Sequence, residues 1–281
     1  MPATVSFTVE SPTGKHPVSV VYERRGSGEP LLLLHGIGHH RQGWDPVLHI
    51  LAAERDVIAV DLPGFGESPA LPEGVPHDLA TVVPVLGGLC KALELGRPHV
   101  AGNSLGGLLA LAMGRDRLVR SVTALAPAGF WSPAERRYAF GLLRGMRAGA
   151  RILPPTVVER LSRSTAGRAV LVSSIYARPG RRSAEGAAAE TLALREAAAF
   201  WPTLAAGRPV VFTDDIPDMP VTIGWGTRDR LLIPRQGVRA KEAIPGARLV
   251  RLPGCGHVPM SDDPALVARV ILDGSRTPAA A

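Results

Sequence analysis

The sequence is poor in cysteine, lysine, aromatic residues and long apolar runs, and each shortage removes a class of protein. Cys90 and Cys255 are the only thiols, isolated and without metal-ligand spacing. A disulfide framework is therefore not expected, and a reducing compartment, the cytoplasm, is the default. The longest aliphatic run, Leu31 to Leu34, is far short of the ~20 residues of a membrane span. The opening Met1-Pro2-Ala3-Thr4-Val5 lacks the basic segment and apolar core of a secretory signal. Lysine occurs only at Lys15, Lys91 and Lys241, so the net charge of +7 is an arginine charge. Those arginines are scattered, in short pairs such as Arg24-Arg25, Arg136-Arg137 and Arg181-Arg182, without interleaved aromatics. That pattern reads as a solvated basic surface, with neither nucleic acid nor a membrane as partner. No His-Glu-x-x-His occurs, and His39 and His40 have no metal-ligand partner in sequence. Gly102 to Gly107 is not Gly-x-Gly-x-x-Gly, and no Tyr-x-x-x-Lys pair is present. Neither metal nor cofactor is expected.

What is present points to a globular α/β chain. At 281 residues it can bury roughly three quarters of its unfolded surface. Residues 3–10 and 17–24 alternate apolar and polar positions, the period of half-buried strands. Leu31–Leu34 does not alternate, as in a parallel strand covered on both faces. A helix near 44–53, a strand at 57–60, a helix near 78–95, a strand at 98–102, a helix at 104–114 and a strand at 119–126 follow. That rhythm predicts a mostly parallel sheet with helices on both faces. From about 128 to 217 the rhythm stops. Helical patches near 133–151, 156–176 and 184–200, broken at Pro154-Pro155, Pro179-Gly180 and Pro202, predict a helical insertion over the sheet. Strands return at 219–225 and 247–252, with helices near 234–244 and 262–272. The tail from Gly274 to Ala281 is expected to fray.

The stretch Gly102-Asn103-Ser104-Leu105-Gly106-Gly107 joins an apolar strand directly to a helix. A turn that tight lifts a serine hydroxyl clear of the sheet, and the helix N-terminus aims free N–H groups at what the serine attacks. Such a serine needs a base, and the base an orienting group. Asp229 follows the strand Val221–Trp225, and His257 follows the next strand in Gly254-Cys255-Gly256-His257. In a parallel sheet all three strand ends lie on one edge, where ligand sites form. Ser68 has Pro69 and no helix after it, so it is not a second elbow.

With those residues in place the chain resembles the α/β-hydrolase family over nearly its whole length. His35-Gly36-Ile37-Gly38 looks like that family's oxyanion loop, and Asp61 to Ser68 like its loop after the fourth strand. The resemblance implies Ser104 as nucleophile, Asp229 as acid and His257 as base, with the N–H groups of Ile37 and Leu105 as oxyanion donors. It also implies a core domain of 1–127 and 218–281 carrying a helical cap of 128–217 after the sixth strand. His35 is read as a structural hydrogen-bonding residue. A serine at the elbow points to acyl transfer: cleavage of an ester, thioester or lactone of a small hydrophobic substrate. Asn103 before the serine is similar to carbon–carbon bond hydrolases acting on ring-cleavage diketones, which is the second reading, and a non-catalytic ligand-binding protein is the third. Trp44, Phe130, Trp131, Tyr138 and Trp201, with Phe140 and Met260, are candidate pocket residues. Oligomeric state is left open.

Overall fold

The computed structural model describes residues 1–12 and 14–276. Its centre is an eight-stranded sheet. The strands are β1 (Ala3–Ser11), β2 (Gly14–Arg25), β3 (Pro30–Leu34), β4 (Asp56–Val60), β5 (His99–Asn103), β6 (Ser121–Leu125), β7 (Val221–Gly226) and β8 (Arg248–Leu252). They lie in the order β1-β2-β4-β3-β5-β6-β7-β8. β2 runs against both neighbours, and every pairing from β4 to β8 is parallel. The carboxyl ends of β3, β5, β7 and β8 therefore meet on one edge.

Packing explains the unbroken leucines of β3. Leu32 and Leu34 join the core built with α2 (Leu79–Ala92) and α3 (Leu105–Arg115), including Val82, Leu86 and Leu109. Leu31 and Leu33 face the other side, with Trp44 and the apolar faces of α1 (Asp45–Ala52) and α10 (Pro264–Gly274). All four leucines are fully buried. Burial of each contributes about 2 kcal/mol, which only a strand covered on both faces can collect.

Between β6 and β7 the chain forms α4 (Pro133–Ile152), α5 (Pro155–Ser162), α6 (Thr165–Val172), α7 (Ala184–Glu196) and α8 (Phe200–Ala206). α9 (Arg235–Ala243) follows β7. Two expected helical patches are each broken in two. Ser164 accepts a hydrogen bond from Gly167 N (3.0 Å) and so starts α6 afresh. Ala199 N donates to Gly64 O (3.0 Å), which ends the run of α7 and lets α8 begin. Pro202 does not break a helix; it sits in the first turn of α8, where a missing N–H costs nothing. Gly274 closes α10 and Ser275 is buried behind it, so the expected fraying does not begin there. Its remainder, 277–281, lies outside the described residues.

The insertion is tied to the core at the start of α4 and after α6. Ser132 and Glu135 form a capping box at the start of α4. Glu135 also accepts from Arg235 Nε at 2.5 Å and is paired with Arg239, both on α9. Farther on, Asp262 accepts from Ala177 N (3.0 Å), Arg178 N (2.7 Å) and Gly256 N (2.7 Å). One buried carboxylate thus links the insertion to the loop that carries His257. Among the described residues no helix is long and apolar enough to cross a membrane.

Candidate active site

β5 ends in the elbow. Ser104 has φ +57° and ψ −114°, a strained backbone for a residue with a side chain. The turn is held by Ser104 N donating to Leu125 O (2.9 Å) and by Leu108 N and Ala128 N donating to Ser104 O (3.0 and 3.1 Å). Its glycines are required by contact. A Cβ at Gly102 would stand 2.0 Å from Gly106 O, and one at Gly106 2.1 Å from Leu34 O. Ser104 occupies the N-cap position of α3, where a serine side chain ordinarily accepts from the helix's own N–H groups. Here it makes no capping bond. The strained elbow leaves the hydroxyl free of the helix.

His257 Nδ1 and Asp229 Oδ2 are 2.8 Å apart, with both side chains buried. The other carboxylate oxygen, Oδ1, accepts from Leu231 N (2.9 Å) and Leu232 N (2.8 Å). With one oxygen fixed by backbone, the other is aimed at the imidazole. An acceptor on Nδ1 leaves Nε2 as the basic nitrogen. Asn103 donates its amide to Leu125 O (3.1 Å) and His257 O (2.9 Å), fastening the elbow to the His257 loop.

Ser104 and His257 line one cavity of about 360 Å³, within the range of small-molecule sites. Ile37, Asn103 and Leu231 complete the core side, and Met146, Val172 and Leu194 supply apolar wall from the insertion. Leu105 opens α3 directly after Ser104.

Neighbouring groups are committed to structure. His35 Nδ1–H lies 2.7 Å from Gly36 O, and Nε2 accepts from Leu62 N at 3.0 Å. Those partners assign a neutral ring, and burial holds its pKa down at about 4. Ser68 Oγ donates to Asp61 O (2.7 Å) and accepts from Val21 N (2.8 Å), a bracing residue of the sheet. Cys255, two residues from His257, is buried with a thiol pushed up to about 12, chiefly by desolvation, so it supplies no thiolate. Cys90 is likewise a free, buried thiol pushed up to about 12 by burial. Among the described residues no group of three metal-ligating side chains occurs.

The lining corrects the expectation drawn from aromatic residues. None of the seven named from sequence lines the cavity. Trp44 is fully buried on the α1 side of the sheet. Phe130 packs against Phe212 with ring centroids 5.7 Å apart. Trp131 donates Nε1–H to Val210 O (3.0 Å) and meets Phe140 edge-on. Tyr138 is exposed and donates to Arg230 O (2.8 Å), and Trp201 is exposed against Phe200. Met260 belongs to the core on the Trp44 side. Each is committed to packing or to a hydrogen bond away from the cavity, and the wall is left to aliphatic side chains. Among the lining residues that the sequence reading did not name, one is acidic: Glu190 of α7. Its signal is an acid inside the buried stripe Ala187, Thr191 and Leu194.

Comparison with known proteins supplies the family. Residues 31–270 match the family model described as the alpha/beta hydrolase family. The chain belongs to the alpha/beta hydrolase family. Among relatives of this hydrolase, the uncharacterized protein Rv2715 of Mycobacterium tuberculosis is 30% identical over 254 residues, 85% of this chain and 73% of that protein. A 2-hydroxy-6-oxo-2,4-heptadienoate hydrolase of Pseudomonas putida is 40% identical over 90 residues, 31% of this chain and 32% of that protein. The structure of naproxen esterase from Bacillus subtilis superposes with a TM-score of 0.73 at 21% identity, covering 96% of this chain and 91% of that one. That likeness is one of fold.

Proposed function

We propose that this hydrolase cleaves a carboxylic ester, thioester or lactone of a small hydrophobic substrate through an acyl-enzyme on Ser104. The observation that carries the reading is the uncapped Ser104 hydroxyl sharing a cavity with His257, whose other nitrogen is held by Asp229. His257 Nε2 takes the hydroxyl proton as Ser104 Oγ attacks the carbonyl carbon. The N–H groups of Ile37 and Leu105 receive the oxyanion; losing one such donor typically costs about 10²–10³ in rate. Asp229 stabilises the imidazolium, which passes its proton to the departing alcohol oxygen. Water then repeats the sequence on the acyl-enzyme and releases the acid. In this reading residues 128–217 are the cap that covers the 1–127 and 218–281 core and supplies the acyl-binding wall.

A second reading, cleavage of a carbon–carbon bond in a ring-cleavage diketone, is favoured by the segment shared with the heptadienoate hydrolase and by Asn103. Asn103 weighs little toward it, because its amide is spent on two backbone carbonyls. The test is hydrolysis of p-nitrophenyl esters from acetate to decanoate by wild type and Ser104→Ala. Turnover that disappears in the variant supports the ester reading. No turnover by a wild type that still reacts with a phosphonate at Ser104 favours the diketone, and no reaction at all favours a ligand-binding protein.

A further inference from the structure

Glu190 is the one acidic residue lining the cavity, and nothing in the acyl-transfer steps uses it. It is 97% buried. Its neighbours crowd onto a single oxygen. Tyr176 Oη donates to Oε1 at 2.7 Å, Arg182 Nε stands 2.8 Å from Oε1 as an ion pair, and His39 Nε2 lies 3.4 Å from it. These partners hold the carboxyl below the usual carboxylate range despite the cost of burial, so the group is charged. Oε2 accepts from no described residue. A buried, charged acceptor without a donor is expensive, and native proteins rarely leave one unless something else completes it.

The surroundings say from which side the partner comes. Arg182 lines the surface groove on the other side of α7, whereas Glu190 lines the cavity shared with Ser104. Both side chains are buried, so the ion pair runs through the insertion between groove and cavity. Ser173 and Thr191 add hydroxyls to the same cavity, and Thr191 Oγ1 donates to Ala187 O (2.8 Å). An otherwise aliphatic wall has one acidic spot.

We propose that the Glu190 carboxylate is a specificity anchor, accepting a hydrogen bond from a hydroxyl, amide or ammonium group of the substrate remote from the scissile carbonyl. This rests on the serine-hydrolase reading and narrows its substrate class to esters bearing such a donor. A substrate with a carboxylate at that position meets like charge and is rejected, which separates this cavity from one built for a dienoate. Donor-matched sites discriminate strongly because the unmatched analogue leaves the acceptor bare.

The experiment compares rates of Ser104 modification, read by intact mass, for p-nitrophenyl alkylphosphonates whose chains, from butyl to octyl, end in methyl, hydroxyl or carboxylate. At the chain length that reaches Glu190, the hydroxyl tail reacts at least about 10-fold faster than methyl, and carboxylate slowest. In Glu190→Gln the hydroxyl-to-carboxylate ratio falls by about 10-fold or more. The wild-type order alone decides if that variant does not fold. Equal rates for the three tails at every length overturn the anchor while Ser104 remains the nucleophile. No modification of Ser104 by any of them removes the serine-hydrolase reading, and the anchor with it.

Discussion

A Cβ at Gly106 would stand 2.1 Å from the Leu34 carbonyl oxygen, whereas one at Gly141, Gly145 or Gly149 of α4 would meet nothing within 4 Å. The two regions use the same residue under opposite constraints. At the elbow, backbone packs on backbone, so local sequence dictates geometry and Ser104 is forced into its strained turn. On α4, glycine is tolerated because it meets no neighbour, with Gly145 and Gly149 bordering the cavity, and sequence says little about which side of the helix walls it. In the proposed function, chemistry sits on the over-determined edge and selectivity in the insertion, where side chains decide.

The largest expected effect lies at the edge. Asp229→Asn lowers kcat by roughly 10⁴, because the imidazole loses the acceptor that fixes its tautomer. Steady-state kinetics with folding confirmed by circular dichroism checks it; a loss under tenfold would detach Asp229 from the base. Next, Gly106→Ala costs roughly 3 kcal/mol or more in urea unfolding, since backbone and not a flexible side chain blocks the methyl group. A neutral result there would dissolve the contrast between the regions.

Stability against pH sharpens the edge further. His35 titrates at about 4 in the folded chain because burial opposes its charge, and burial also lowers His40, His77 and His99. Below the unfolded value of about 6.5 the unfolded chain takes protons that the folded one refuses. Stability is therefore complete above pH ~6.5 and falls as pH drops toward 4, by on the order of 1 kcal/mol per pH unit for His35. Urea midpoints that rise on acidification would contradict the neutral, buried ring.

The insertion yields smaller effects. Met146→Ala shifts the preferred acyl length by one or two carbons with roughly a tenfold change in kcat/KM ratios, and Trp131→Ala leaves the length profile unchanged. The reverse outcome would return the pocket to the aromatics. Smallest is Gly141→Ala, expected to add about 1 kcal/mol of stability from helix propensity, because the methyl enters open space.

How much of this was legible follows the same division. The common edge of Ser104, Asp229 and His257 could be anticipated because parallel strands put their carboxyl ends on one side; the exchanged positions of β3 and β4 could not. The elbow glycines mark the turn in the sequence itself. The lining was not legible, since an aromatic residue in an insertion serves equally as joint or wall. Trp131 and Tyr138 turned to carbonyls of Val210 and Arg230, and the wall fell to Met146, Val172 and Leu194. Glu190 carried a signal, an acid inside a buried helical stripe, that only packing could turn into a site.

The most direct test of the account is acid quenching during turnover of p-nitrophenyl acetate, followed by intact mass and peptide mapping. The account predicts a single acetyl group on Ser104, absent from Ser104→Ala. Turnover without any covalent adduct, or with the acetyl group on another residue, would contradict it.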